Sequence, residues 1–428
     1  LASFFGRVNY KLMDRYMLTA SLRADGSSVF APGKKWGYFP SVALAWRINE
    51  ENFLKNVDAI SNLKLRLSWG QSGQCAIDPY QTVGLLGNST YSFNNEGAYG
   101  FYPKTMSNKE LTWETTTQYN LGLDFGFFNN RISGSIDIYK AETRDILMNR
   151  VIPSINGYAS VMENIGKTES TGVDLTLSTV NIQNKNFSWF SDFSLSHNRE
   201  KIKELASGQL KDEANAWFVG EPFKVFYDYK KEGIWQLGEE AAAAANGQEP
   251  GDIKVQDVDG NGVITTDDRI IYSQRPDVTF GFNNTFNYKG FDLSVFLYAR
   301  LGQWIAYDYN TTYRINALEN GGNVDYWTPE NPTNAFPRPN KSKSYTQVTY
   351  YSTLKYEDGS FFKIRDITLG YTFKPELLKH LNLSRLRVYA TAKNFFTFSK
   401  IDNYDPEQGG SISFPMTKQL VFGLNVEF

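Results

Sequence analysis

The chain has 428 residues, 15% of them aromatic, and its 44 basic and 46 acidic side chains leave a formal charge of −2. That balance excludes a general nucleic-acid binder, which carries a basic excess. One cysteine (Cys75) excludes an internal disulfide, two histidines (His197 and His380) are too few for a His-rich zinc site, and no run of ~18 apolar residues predicts a membrane-crossing helix.

Leu1 opens inside a strand-like pattern, with no Met, basic n-region or signal-peptide core, so a preceding N-terminal part is expected. Strict period-two alternation then predicts about thirteen strands, at 3–12, 16–25, 38–48, 63–72, 113–127, 131–144, 170–180, 187–199, 278–288, 291–301, 361–373, 385–396 and 418–428. In the second, Tyr16, Leu18, Ala20 and Leu22 alternate with Thr19, Ser21 and Arg23. In the fourth, Leu63, Leu65, Leu67 and Trp69 share a face. Phe280, Phe282, Phe286 and Tyr288, then Phe291, Leu293, Val295 and Leu297, flank Lys289-Gly290, which reads as a hairpin with a two-residue turn.

These strands are about ten residues long, the length of a tilted bilayer crossing, whereas soluble strands are about five or six. The connections sort by parity. Residues 13–15, 128–130, 181–186 and 289–290 are short; 49–62 and 374–384 are moderate and suit short helices; 26–37, 73–112, 145–169, 200–277, 302–360 and 397–417 are mostly long. Short turns on one rim and long loops on the other predict an all-β fold, a transmembrane antiparallel β-barrel with periplasmic turns and extracellular loops. A soluble antiparallel sheet also alternates, but it needs neither the strand length nor the sorted loops. The last strand places Leu420, Phe422, Leu424, Val426 and Phe428 on one face and ends on an aromatic residue.

Within the long loop 200–277, residues 257–268 match a twelve-residue calcium loop. Asp257, Asp259 and Asn261 stand at positions one, three and five, and Gly262 at the sharp turn. Val263 offers its carbonyl, Thr265 stands at nine, where water bridging is common, and Asp268 closes the loop where an EF-hand carries Glu. Ile264 is the apolar anchor. A hard cation with several oxygen ligands suits this set, and Ca2+ is expected in a structural role. The bland alternative is an acidic turn capped by its own side chains. Upstream, Glu239-Glu240 and five alanines between Gly238 and Gly247 predict a short helix.

No catalytic constellation, Walker loop or dinucleotide fingerprint appears, so an enzyme is not expected. Cys75, His197 and His380 read as incidental. The long loops hold exposed-looking aromatics, Tyr102, Trp217, Trp235, Trp304, Tyr307, Tyr313, Tyr326 and Trp327. Each alone reads as structural; as a group they permit a ligand vestibule for sugar or peptide.

Asp257–Asp268 followed by Pro276–Asn284 resembles the SusC/RagA family of TonB-dependent outer-membrane transporters, as do Arg66–Gly70, Trp327–Pro332, Ala392–Thr397 and Tyr404–Glu407. The resemblance runs from about Phe4 to Phe428 and makes this chain the C-terminal part of a barrel of ~22 strands, a size class with a plugged lumen. It implies an N-terminal plug and first strands outside this chain, without which the barrel half is expected to be unstable. It also implies energy from the TonB–ExbB–ExbD complex, a SusD-like surface lipoprotein as lid, and import of oligosaccharide or peptide. The apolar strand faces would meet outer-membrane lipid, and Lys64, Arg66, Asp174, Asp292, Arg300 and Arg387 are candidates for the lumen. The competing readings are a soluble secreted calcium-binding β-protein (a carbohydrate-binding module or glycoside hydrolase) and a siderophore or cobalamin receptor.

Overall fold

The computed structural model describes residues 1–428 except 159, 317, 319 and 379–381, so His380 lies outside the described residues. Thirteen long strands form one antiparallel sheet in sequence order. They are β1 (Ala2–Leu12), β2 (Tyr16–Gly26), β3 (Trp36–Arg47), β4 (Ile60–Gln74), β5 (Glu114–Phe127), β6 (Ile132–Arg144), β7 (Lys167–Gln183), β8 (Phe187–Glu204), β9 (Val278–Tyr288), β10 (Phe291–Leu301), β11 (Phe361–Thr372), β12 (Arg385–Ser399) and β13 (Gln419–Glu427). The predicted parity of connections holds. Where the chain reverses within two or three residues, Met13-Asp14, Phe128–Asn130 and Lys289-Gly290 adopt positive φ, matching the twist of the flanking strands. The moderate connections carry the expected short helices, Ile48–Glu50 and Pro375–Leu378.

The chain divides into two compact units, residues 1–180 with 194–223, and residues 181–193 with 224–428. In the first, β5 and β6 pair Leu123 with Ile136 and Leu121 with Ile138, and β7 continues these rows with Leu175 and Val173. Leu121, Ile138 and Val173 stay exposed, because this apolar face has no protein layer over it. The opposite face is polar. Arg66 reaches Asp124 at 2.8 Å and Asp137 at 2.9 Å, Lys64 reaches Asp124 at 2.7 Å, and Asn120 donates to Asp137 at 2.9 Å. Asp174 stands opposite Asp137 in the register.

In the second unit the same alternation stacks Trp189 on Phe286 and Phe193 beside Phe280 and Phe282 on the apolar face. On the polar face Arg387 binds Asp292, and Arg300 donates to the Tyr298 hydroxyl at 2.8 Å. The long connections of this unit fold as a body of their own. Short antiparallel pairs join Val225–Asp228 to Ile270–Ser273, Lys231–Ile234 to Ile253–Val255, and Trp304–Ala306 to Tyr356–Asp358. Ile234, Ile253, Val255, Trp327, Tyr351 and Leu354 close into one buried cluster.

The predicted strands are right in number and order, with three differences. β7 and β8 are 17 and 18 residues long and outrun the predicted 170–180 and 187–199. The outer end of β8 carries charge on both faces, and that of β7 places Lys167 and Glu169 on the face that is apolar further along, so the ladder continues after the apolar signal stops. The loop 200–277 accordingly begins after Glu204. The stretch 73–112 holds a hairpin, Leu86–Phe93 with Glu96–Pro103, whose turn residues Asn94 and Asn95 have φ of 51° and 65°. That Asn-Asn pair was a usable turn signal.

Candidate functional site

Two features of the second unit's long loops bring chemistry together. The first is the acidic loop, set between the strands Ile253–Val255 and Ile270–Ser273. Asp257 accepts from the backbone N–H of Gly260 at 2.8 Å and of Gly262 at 2.7 Å. Asp259 accepts from Asn261 N–H at 3.0 Å, and Asn261 from Val263 N–H at 2.8 Å. Asp268, fully buried, accepts from Val258 N–H at 2.8 Å and Thr265 N–H at 2.7 Å. Gly262, at φ 85°, makes the sharp turn that a side chain would strain. Ile264 packs on the buried cluster, and its N–H donates to Asn246 at the end of helix α1 (Glu240–Ala245), the predicted helix.

The loop therefore curls its carboxylates inward. Asp257, Asp259 and Asp268 each present an oxygen within 4.8 Å of the other two. Ionised carboxylates keep further lone pairs after these single bonds, so the donor set fits a hard, oxygen-seeking divalent cation. The N–H groups of Thr265 and Val258 hold the Asp268 carboxyl below the ordinary carboxylate range. Thr265 also caps the turn 266–268 by accepting from Asp267 N–H at 3.2 Å.

The second feature is a cleft of about 390 Å³ lined by Trp304, Tyr272, Tyr307, Tyr356, Lys231 and Glu357 among others. Lys231 donates to the Ala335 carbonyl at 2.5 Å, and Asn310 donates to Glu357 at 3.1 Å. Burial pushes the Lys231 ammonium down and the Glu357 carboxyl up, each partly countered by the other's charge. Tyr272 donates to the Tyr229 carbonyl at 3.0 Å and Tyr356 to Asp228 at 3.1 Å, which fixes both rings. Ring faces beside one half-buried cation and one half-buried anion can stack a sugar or hold the polar ends of a peptide.

Sequence reasoning found the acidic loop but not this cleft, because Lys231 and Glu357 lie far apart in the chain and share no spacing. Of the exposed-looking loop aromatics, Trp235, Tyr307, Tyr313 and Trp327 are buried, in line with a structural reading of each alone, whereas Tyr102 and Tyr326 are exposed. Trp217 packs against Phe223, and Trp304 meets Tyr272 edge-on at 4.7 Å. Trp327 lies in the core because its indole N–H reaches Gln236 at 2.9 Å while its ring fills the cluster. Cys75 packs beside Phe30, Phe39, Leu111 and Trp113, and His197 is exposed on β8. The Tyr404–Glu407 motif serves as a clasp. Fully buried Lys363 of β11 binds Asp405 at 2.6 Å and Glu407 at 2.8 Å, tying the loop after β12 to the sheet.

Residues 1–395 match the family described as TonB dependent receptor-like, beta-barrel. The chain is 35% identical to TonB-dependent receptor SusC of Bacteroides thetaiotaomicron, covering 100% of this chain and 44% of that protein. It is 35% identical to TonB-dependent receptor P26 of Formosa agariphila, covering 100% of this chain and 46% of that protein. A solved structure of the RagAB peptide transporter superposes with a TM-score of 0.82 at 28% identity, over 100% of this chain and 47% of that one. The chain thus spans about half the length of the curated relatives it matches. The apolar outer faces, the polar inner faces and the sorted connections have their explanation in this likeness: the chain belongs to the TonB-dependent receptor family of outer-membrane β-barrels, in its SusC/RagA branch.

Proposed function

We propose that this chain forms the C-terminal part of a TonB-dependent importer that carries oligosaccharides or peptides across the outer membrane. The observation that carries the reading is the likeness, over the whole of this chain and just under half of each relative, to SusC and to the RagAB peptide transporter, on a sheet whose strands are long enough to cross a bilayer. The long loops face the exterior, and the loop 205–277 belongs to the substrate chamber. The cleft at Lys231 and Glu357 supplies aromatic faces and a half-buried charge of each sign. A preceding plug, energised by TonB with ExbB and ExbD, closes the lumen, and a SusD-like lipoprotein covers the loops. The same likeness favours this reading over a siderophore or cobalamin receptor.

Ca2+ at Asp257, Asp259, Asn261, Val263, Thr265 and Asp268 has a structural role, binding the loop to the end of α1 through the Ile264–Asn246 contact. Three converging carboxylates repel one another when ionised, and a dication removes that repulsion while ordering the loop.

The test is uptake. Cells lacking the gene, cells restored with the full-length protein, and restored cells lacking TonB receive labelled oligosaccharide and peptide mixtures. Loss of one class of cargo in the first and third strains, with recovery in the second, supports the proposal. Equal uptake in all three contradicts it.

A further inference from the structure

The outer face of the first unit changes character abruptly along the strands. From the row Phe127–Ile132 to the row Leu121–Ile138 the face is mainly apolar. Exposed Tyr119 follows, opposite Lys140 on one side and Trp69 on the other. Eight residues separate Ile132 from Lys140, about 26 Å along a strand. At a tilt of about 35–45° that projects to about 20 Å, within several ångströms of an apolar band about 25 Å tall, which an aromatic girdle bounds.

Immediately beyond the girdle, at the long-loop end, the face becomes cationic. Glu169 of β7 is buried under three lysines: Lys140 of β6 at 2.8 Å, and Lys201 and Lys203 of β8 at 3.0 and 4.0 Å. Glu142, opposite Glu169 in the register, is met by Arg144 and by Lys167 at 3.2 Å. Five cations thus contact two carboxylates, leaving three positive charges in excess, and exposed Arg199 adds a fourth on the same face by the alternation of β8. Lys140, Arg144, Arg199 and Lys203 are exposed, and the residues come from three adjacent strands. The two carboxylates act as pins that hold the cations in a raft, because each accepts from more than one strand.

We infer that this raft is a binding site for the phosphorylated headgroup of an outer-leaflet glycolipid. The inference rests on the outer-membrane orientation proposed above, which puts the raft at headgroup height, outside the barrel and away from the lumen. A surplus of fixed cations directly above exposed Val173 and Ile138 suits an amphiphile whose anionic head joins an apolar tail. Phosphate oxygens accept charge-assisted hydrogen bonds from Lys and Arg together.

The test uses the full-length protein extracted from outer membranes in detergent, with diphosphoryl lipid A and its enzymatically dephosphorylated form as probes and native mass spectrometry as readout. Two variants remove cations without leaving a buried carboxylate alone: K140Q/E169Q/K201Q/K203Q and R199Q/K203Q. K104Q/K109Q/K341Q, in exposed loop positions, controls for lost charge. Retention of lipid A is expected to fall about 30-fold in each raft variant, about fivefold per net charge removed, and to stay unchanged in the control. The wild type is expected to retain the dephosphorylated lipid as weakly as the raft variants retain lipid A. Equal retention by wild type and raft variants, or of the two lipids by the wild type, overturns the inference. So does loss from the raft variants of a co-purifying polypeptide with lipid retention intact. Recovery of the wild type outside the membrane fraction overturns the orientation instead, and is seen before any lipid is added.

Discussion

The two units share one strand grammar and use their long-loop ends differently. In the first, β7 and β8 run on past the apolar band as charged strands, and the adjoining loops form small separate clusters around Leu111 and Ile202. In the second, the strands reach that end with aromatic residues, Phe280, Phe362 and Phe398 lying about 6 Å apart ring to ring. There the loops condense into a body with its own core, acidic loop and cleft. A barrel strand is constrained by lipid only as far as the membrane extends. Beyond it one stretch of chain carries fixed charge and another folds around a core of its own.

The largest expected effect separates the two units most cleanly. Trp327→Ala should destabilise the loop body by about 3–5 kcal/mol, the cost of removing a buried aromatic side chain. Hydrogen exchange should then rise across 231–255 and 327–354 and stay unchanged in β1 to β6. Equal loss of protection in both units would show that the loop body is not a separately stabilised element.

Asp257→Asn and Asp259→Asn should each weaken Ca2+ binding at least about tenfold by calorimetry, since ligand charge sets affinity in such loops. Added Ca2+ should slow exchange in 246–268 in the wild type only. Lys231→Met should weaken cargo binding by about tenfold, the effect of about 1.4 kcal/mol from one charge-assisted hydrogen bond, while Ca2+ affinity holds. A variant that loses both would show that the cleft and the acidic loop are one site.

The acid limb is a finer test. The folded Asp268 carboxyl titrates below its ordinary value of about 3.9. Its contribution is therefore complete above that value and is lost as pH falls through the lower, folded value. The loop should keep its exchange protection near pH 4 in the metal-free protein, and Asp268→Asn should abolish that dependence. The smallest expected effect lies in the first unit. Ala216 turns the hairpin Lys211–Asp212/Trp217–Phe218 with φ of 54°, and Ala216→Gly should stabilise that hairpin by about 1 kcal/mol, read as slower local exchange.

What the sequence made legible follows from the same contrast. Number, order and facing of the strands were readable because lipid on one side and water on the other impose a period of two, as at Leu121, Leu123 and Phe125. The acidic loop was readable because its carboxylates and its turn glycine fall within twelve residues. The outer ends of β7 and β8 were not, since Lys201 and Lys203 carry no apolar alternation although the backbone ladder continues. Nor was the cleft, because Lys231 meets Ala335 and Glu357 only through long-range folding. Aromatic loop residues such as Trp327 and Tyr313 looked exposed because periodicity cannot tell a loop with its own core from a solvated one.

The most direct test of the account labels intact cells with a membrane-impermeant maleimide. Single cysteines replace Leu210 and Lys341 at the long-loop end, and Asn129 and Lys185 at the short-turn end, in a Cys75→Ser background. Labelling of positions 210 and 341 in intact cells, and of 129 and 185 only after lysis, is the predicted result. Labelling of 129 and 185 in intact cells would reverse the orientation on which both the importer and the lipid raft depend.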